Sequence, residues 1–252
     1  MPELLLSRIL NGLLHGPVTA LLNLVGIHPA HPEAPIPDHV TMQVLLVIVL
    51  TILFLIVRSQ LSVENPSGLQ HVVESANSFV GNLAHEIIGH GYEEFMPYLM
   101  ALGIFILSAN LMGLVPGLES PTANTVVPLG CALVTWFYYQ SKGILKNGPI
   151  GYIKHFIGPQ ESSIPLFVRL FLPILMFPIE VCSHLARLLS LTVRLYANMF
   201  AGEMVTLIFF SLIPFGVPVI FEGLHIGVSF IQTYIFVLLA CVYLGEATAH
   251  EH

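Results

Sequence analysis

Charge is what this chain has least of. Only 9% of its 252 residues are Asp, Glu, Lys or Arg, and the formal net charge is −7, whereas ordinary soluble domains contain about 25% charged residues. Hydrophobic residues make up 55% of the chain, and the mean hydropathy is +0.83. This composition excludes an ordinary soluble domain. It predicts that the lipid bilayer surrounds most of the chain, and we expect no nucleic-acid partner.

Cysteine is also scarce, and the few thiols do not suggest a metal. Cys131, Cys182 and Cys241 all fall in apolar segments without the spacing of metal ligands, which favours plain packing thiols. A near match to the zinc motif H-E-x-x-H starts at His85, but its second histidine, His90, comes one residue too late. On a helix the two rings would point about 140° apart. We therefore expect no metal and no cofactor.

Long runs without charge divide the chain into candidate membrane helices. Residues 40–57 carry no charge, and about 20 apolar residues suffice to cross the hydrocarbon core. We predict an all-α integral membrane protein with about five crossing helices, at residues 40–58, 97–116, 122–141, 165–213 and 217–248. Residues 1–39 are predicted to form an N-terminal amphipathic, extramembrane segment, and residues 40–252 the membrane domain. Apolar positions at three- and four-residue steps predict an amphipathic surface helix over residues 66–90.

The basic residues predict the orientation. They follow the first and third predicted spans, as Arg58, Lys142, Lys146, Lys154 and Arg169. Because cytoplasmic loops carry an excess of Lys and Arg, these positions should be cytoplasmic, with the N-terminus outside and the C-terminus inside. Glu3 and Arg8 interrupt the first apolar residues, so we expect no cleavable signal peptide. The expected location is a bacterial inner membrane.

The last two predicted helices are too long to cross the membrane upright. A helix from residue 179 to 213 would run about 50 Å, whereas the hydrocarbon core is about 30 Å thick. The final segment has the same excess. We therefore expect both helices to be steeply tilted and packed as a hairpin that turns at residues 213–216.

A polar stripe runs along the first of these long helices. Five residues fall at steps of 4, 3, 7 and 4 and so share one helix face: Glu180, His184, Arg187, Arg194 and Asn198. Ser183 and Ser190 lie beside it. The last helix has a second stripe, made of Glu222, His225, Ser229 and Gln232. A central arginine costs roughly 2.5–3.5 kcal/mol on insertion scales, so a function is favoured over the alternative that these residues only fix helix register.

Glu203 belongs to a different face of the same helix. It follows Arg194 by nine residues, which is about 180° around an unbroken helix. It should therefore face the last helix, where His225 is the natural partner. A carboxylate near an imidazole can take up and release protons around neutral pH.

These segments resemble subunit a of the rotary (F-type) ATP synthase over residues 40–248. The strongest similarity is the run SHLARLLSLTVRLYANMFAGE at residues 183–203, and the segments 110–116, 120–124 and 232–240 agree as well. Leu188 stands where many members have proline, and Gly113 where some have an acidic residue. The resemblance implies a proton-channel stator subunit, without catalytic chemistry of its own, beside a rotating ring of proteolipid c subunits. It also implies peripheral-stalk b subunits and, indirectly, the catalytic head as partners.

The resemblance further implies two offset half-channels that couple H⁺ flow to ATP synthesis. Arg194 would be the essential charge facing each ring carboxylate. The outer path would contain Glu203, His225, Gln232, Asn198 and Asn110. The inner path would contain Glu180, Ser183, Arg187 and Ser190. The choice between H⁺ and Na⁺ stays open, because it depends mainly on the ring.

Two other classes of membrane protein are alternatives. A secondary ion transporter would also hold charged residues at midplane, but such proteins often contain inverted repeats, and we find none. An intramembrane protease is disfavoured by the failed zinc motif.

Arginine suits the role implied for Arg194 because its pKa exceeds about 12, so it keeps its charge and cannot relay a proton.

Overall fold

The computed structural model describes residues 36–62, 66–115, 118–157, 166–213 and 216–248, with residues 8, 11, 12, 16, 18 and 19; side chains at 149–173 are not described. Within these ranges the protein is all-α. Its helices are α1 Asp38–Ser59, α2 Gly68–Ile88, α3 Met96–Met112, α4 Val126–Ile157, α5 Leu166–Leu212 and α6 Val217–Thr248. Short 3-10 turns occupy Tyr92–Glu94 and Pro121–Ala123. Most of the predicted N-terminal segment 1–39 lies outside the described residues.

Three helices of the described chain are long and apolar enough to cross a membrane: Asp38–Ser59, Ile174–Leu212 and Val217–Thr248. The apolar helix α3 is shorter, at 17 residues. Helix α4 is long but carries polar residues in its second half. The predicted all-α, apolar fold is confirmed at this level, while the count of five crossings stays a prediction. Helix α2 matches the bounds predicted for the surface helix within two residues.

Large apolar side chains cover the outside of these helices. Along α1, Val47, Ile52 and Leu55 are each about half exposed or more, at 51%, 51% and 58%. Such an apolar surface would promote aggregation in water but is compatible with contact to lipid. Between helices in a bilayer the packing is held by close van der Waals contact and hydrogen bonds rather than by a hydrophobic driving force. Polar residues buried between helices are therefore the informative ones.

The chain divides into two compact units. The first contains residues 1–72, 105–124 and 199–230, and the second contains residues 73–104, 125–198 and 231–252. In the first unit Met42 and Leu46 of α1 pack on Ala109 and Met112 of α3. In the second unit the fully buried side chains include Leu99, Tyr139, Leu195 and Phe236. Helices α5 and α6 each contribute residues to both units.

Helices α5 and α6 are as long as the sequence predicts. At 47 and 32 residues, they measure about 70 and 48 Å along the helix. Gly216, in the connection between them, has φ 86, a left-handed conformation that favours glycine. The rings of Phe209 and Phe221 stack near this connection, 4.4 Å apart. The predicted steep tilt and hairpin packing stay predictions.

Candidate ion-path residues

Arg194 lies on the exposed side of α5. Its Nη2 donates one long hydrogen bond, 3.4 Å, to Ser190 Oγ one turn earlier. Among the described residues no carboxylate lies within ion-pair distance of its guanidinium. Its exposed neighbour Val193 is apolar and is 56% exposed. The charge is therefore presented on an apolar surface, without an ionic partner among the described residues.

Arg187, on the same helix face, has a different environment. Its Nη1 lies 2.6 Å from Glu246 Oε2, and its guanidinium carbon lies 5.0 Å from the centre of the Tyr243 ring. Both partners are on α6. An ion pair and a cation–π contact thus satisfy Arg187 within the chain. The two arginines of the predicted stripe differ in that Arg187 is paired and Arg194 is not.

A buried histidine links three polar groups at the start of this stripe. His184 Nδ1 lies 2.9 Å from the Tyr139 hydroxyl, and His184 Nε2 lies 3.5 Å from Glu180 Oε1. His184 is 9% exposed and Tyr139 only 2%. Ser183, next to this group, is half-buried. The arrangement joins a carboxylate, an imidazole and a phenol in a row that can pass a proton.

Asn198 and Gln232 connect the two predicted stripes. The Asn198 amide nitrogen donates to Gln232 Oε1 at 2.6 Å. Gln232 is 1% exposed, and its Nε2 has no hydrogen-bond partner in the described part of the chain. At this pair of residues the two predicted stripes are in contact.

A cavity of about 600 Å³ lies in the first unit, and it holds Glu203. Its polar lining consists of Asp38, His39, Glu119, Ser120, Asn124, Glu203, Thr206, Glu222 and His225. Glu203 Oε1 accepts a hydrogen bond, 3.0 Å long, from the Ser120 backbone N–H. His225 lines the same cavity, but the described hydrogen-bond partner of the carboxylate is Ser120. The predicted direct pairing of Glu203 with His225 is not formed.

His225 instead packs against the backbone of α5. A Cβ atom added to Gly202 would lie 2.5 Å from His225 Nδ1, far inside ordinary contact distance, so the ring occupies space that only glycine leaves. His225 is 6% exposed, and its Nε2 has no protein partner among the described residues.

Asn110 ends a chain of buried polar groups beside the cavity. Its Oδ1 accepts from Thr122 Oγ1 at 2.7 Å, and Thr122 Oγ1 lies 2.7 Å from Ser120 Oγ. Asn110 Nδ2 is buried without a described partner, as are Thr206 Oγ1, His225 Nε2 and Gln232 Nε2. Buried polar atoms are almost always hydrogen-bonded, and water satisfies those that the protein leaves unpaired. Three of these four atoms belong to residues predicted for the outer path.

Several residues around these sites escaped the sequence analysis. Asp38 and His39 looked like ordinary flanks of a span, although both line the cavity and His39 Nδ1 lies 3.4 Å from the Asn124 amide nitrogen. Tyr139 was not singled out, because it lies in a run of four aromatic residues, 136–139. Glu246 carried a usable signal, because it is one of two acidic residues in α6, the helix expected to pack against the polar stripe of α5. The described residues contain no group of three or more potential metal ligands.

Known proteins similar to this chain are consistent with these features. The sequence profile of the family described as ATP synthase A chain matches residues 39–245. An ATP synthase subunit a from Koribacter versatilis is 54% identical over 250 residues, covering 99% of this chain and 98% of that protein. One from Solibacter usitatus is 46% identical, covering 96% and 99%. One from Aquifex aeolicus is 38% identical, covering 82% and 95%.

Proposed function

This chain belongs to the ATP synthase A chain family, and from that premise we propose that it conducts H⁺ to and from the carboxylates of a rotating proteolipid ring. As a family member it is a membrane-sector subunit of an ATP synthase, takes part in ion transport and ATP synthesis, and is not itself catalytic. What we propose is how it does so. Two half-channels, offset and open to opposite sides, would deliver ions to the ring and remove them.

The observation that carries this proposal is the contrast between Arg187 and Arg194. Both lie in an apolar helix, yet Arg187 has Glu246 and Tyr243 as partners, whereas Arg194 has only a long bond to Ser190. An unpaired guanidinium in hydrocarbon is costly. A carboxylate that arrives from outside the chain, on a ring subunit, would remove that cost.

Arg194 would act by its fixed charge. As a protonated ring carboxyl group approaches, the guanidinium favours its charged form, so the proton leaves toward the inner path and the guanidinium attracts the carboxylate that remains. Because arginine keeps its own proton, ions cannot pass from one half-channel to the other through it. A dry bidentate pair would hold the ring too tightly, so a hydrated and transient contact fits rotation better.

The outer path is assigned to Glu203, His225, Asn110, Asn198 and Gln232. The cavity around Glu203 and His225, and the unpaired buried atoms of Asn110, His225 and Gln232, support this assignment. A carboxylate and an imidazole in one polar cavity are suited to exchange protons near neutral pH.

The inner path is assigned to Glu180, Ser183, Arg187 and Ser190. Glu180 belongs to the row with the buried residues His184 and Tyr139, which supports a route for protons on this side. Arg187, held by Glu246 and Tyr243 of α6, would border this path with a fixed and internally balanced charge. The ring, peripheral-stalk b subunits and, indirectly, the catalytic head are the proposed partners, in a bacterial inner membrane with the N-terminus outside and the C-terminus cytoplasmic.

Arg194→Ala tests this function in inverted membrane vesicles. We expect ATP synthesis driven by an ion gradient to fall to background, while this chain still copurifies with the proteolipid ring, because Arg194 makes almost no contact inside its own fold. Arg194→Lys should also fail to support synthesis, since a lysine in hydrocarbon can lose its proton. Arg58→Ala, at the end of α1, is the matched control and should leave synthesis unchanged. Normal synthesis by Arg194→Ala, or ion transport by the purified chain without a ring, would refute the proposal.

A further inference from the structure

The cavity in the first unit contains one contact that the proposed path does not explain. A Cβ atom added to Gly113 would lie 2.9 Å from Glu203 Oε1, 3.1 Å from Ser120 Cβ and 3.3 Å from Ser120 N. The Glu203 carboxylate therefore lies directly over the backbone of Gly113. Gly113 follows the end of α3, and it lines the same cavity.

The backbone itself does not require glycine at this position. The described glycines with positive φ are Gly89, Gly91, Gly148 and Gly216, so Gly113 has a conformation that other residues can adopt. The distinguishing feature of Gly113 is the missing side chain, and a carboxylate occupies the space that a side chain would fill.

We propose that Gly113 is a positioning residue, whose missing side chain seats the Glu203 carboxylate against the Ser120 backbone N–H. The Ser120 side chain holds its loop in position, because Ser120 Oγ donates to the Ala109 carbonyl at 3.0 Å and also contacts Thr122 Oγ1. The backbone N–H of Ser120 is therefore fixed, and the Glu203 carboxylate that it binds lies next to the Gly113 backbone.

This seat, meaning the position of the Glu203 carboxylate over Gly113 and against the Ser120 backbone N–H, has a direct consequence for ion transfer. A proton-carrying group must be held within hydrogen-bond reach of its donors and acceptors, and a displacement of about 1 Å can cost on the order of 100-fold in rate. In this chain a Cβ atom at position 113 would overlap the carboxylate where it now lies and move it away from Ser120, because the loop backbone is less able to yield than the end of a glutamate side chain.

The inference rests on the proposed function of Glu203, and the test separates the two. We expect Gly113→Ala to slow H⁺-driven ATP synthesis, per assembled complex, by about tenfold, as for one lost hydrogen bond to a charged group. Glu203→Ala removes the carboxylate and is also expected to be slow. The double variant should be no slower than Glu203→Ala alone, because the added methyl group then has no carboxylate to displace.

Two glycines provide controls. Gly103→Ala, in helix α3 just before Gly113, would meet only Val237 Cγ2 at 3.2 Å, and Gly130→Ala would meet nothing within 4 Å. Both should keep synthesis within about twofold of the unaltered protein, because neither added methyl group meets a residue of the proposed path. If Gly113→Ala prevents assembly, the double variant with Glu203→Ala should restore it, since the shortest contact, 2.9 Å to the carboxylate, is then gone and only those of 3.1 and 3.3 Å to Ser120 remain.

The outcomes distinguish the two proposals. If Glu203→Ala has normal synthesis, the proposed outer path fails. If Glu203→Ala is slow but Gly113→Ala is normal, the path stands and the seat is refuted. The seat is also refuted if the two substitutions multiply in the double variant, if Gly103→Ala is as slow as Gly113→Ala, or if neither Gly113→Ala nor the double variant assembles.

Discussion

Replacing Gly202 by alanine sets two opposing effects of known size against each other. Within a helix, alanine is favoured over glycine by about 1 kcal/mol. Against this, the new Cβ would lie 2.5 Å from Nδ1 and 2.9 Å from Cε1 of His225. Ordinary contacts begin near ~3.5 Å, so the ring must move by about 1 Å. Overpacking of this kind typically costs about 1–3 kcal/mol.

The destabilisation by the overlap should exceed the gain from the helix preference of alanine, because His225 has little room to move. It is 6% exposed, and its backbone carbonyl accepts a hydrogen bond from Ser229 one turn later. The net effect of Gly202→Ala is then between about 0 and 2 kcal/mol of destabilisation. The moved imidazole should also slow H⁺ transport, because His225 is assigned to the outer path.

The assay compares Gly202→Ala with Gly130→Ala in purified complex. At Gly130 nothing lies within 4 Å of an added Cβ, so that variant reports the helix effect alone. We expect the temperature of half-inactivation to be lower for Gly202→Ala than for Gly130→Ala, and H⁺ flux to fall only in the former. If Gly202→Ala is as stable and as active as Gly130→Ala, the described packing of His225 is wrong.

Two further substitutions test the second unit. Tyr139→Phe removes the hydroxyl that contacts His184 without changing the shape of the buried ring, so we expect a loss of about 1 kcal/mol in stability. If the row with Glu180 carries protons, H⁺ flux should also fall. Unchanged stability and flux would show that Tyr139 is not part of this row. Glu94→Gln tests a pair outside the spans, where the hydrogen bond and charge of Lys142 hold the Glu94 pKa below its usual value. A lowered pKa contributes stability above the usual carboxyl pKa of about 4.3 and loses it as the pH falls further. The difference in stability between the unaltered chain and the Glu94→Gln variant should therefore shrink below pH ~4; a difference that stays constant would contradict the pair.

Helical periodicity explains why much of the fold was predictable. A period near 3.6 assigns residues to faces of one helix, and this placed Arg187, Arg194 and Asn198 on one side of α5. Apolar length gave α1 and α6 within a few residues. The extent of α4 was not predictable, because Lys142 and Lys146 suggested a loop after the span. The helix continues past both to Gly148, where φ is 72 and ψ is 158.

The partners of each functional residue were harder to predict than its helix face. Periodicity says where a side chain points but not which element packs there. Glu203 was assigned by spacing to a face that should meet His225, yet its described partner is the Ser120 backbone N–H, in a loop between helices. A backbone donor leaves no signature in the side chains, so no spacing argument could have found it.

The two arginines show why residue type and spacing are not sufficient to assign a role. Arg187 and Arg194 are one heptad apart on the same face, so helical spacing alone does not distinguish them. What separates them is the opposite helix, where Glu246 and Tyr243 lie against Arg187 while Arg194 has no described acidic partner. A paired arginine in an apolar helix is stabilised by its own chain. An unpaired one is costly in hydrocarbon, which is the physical reason for our proposal that Arg194 meets a carboxylate of another subunit.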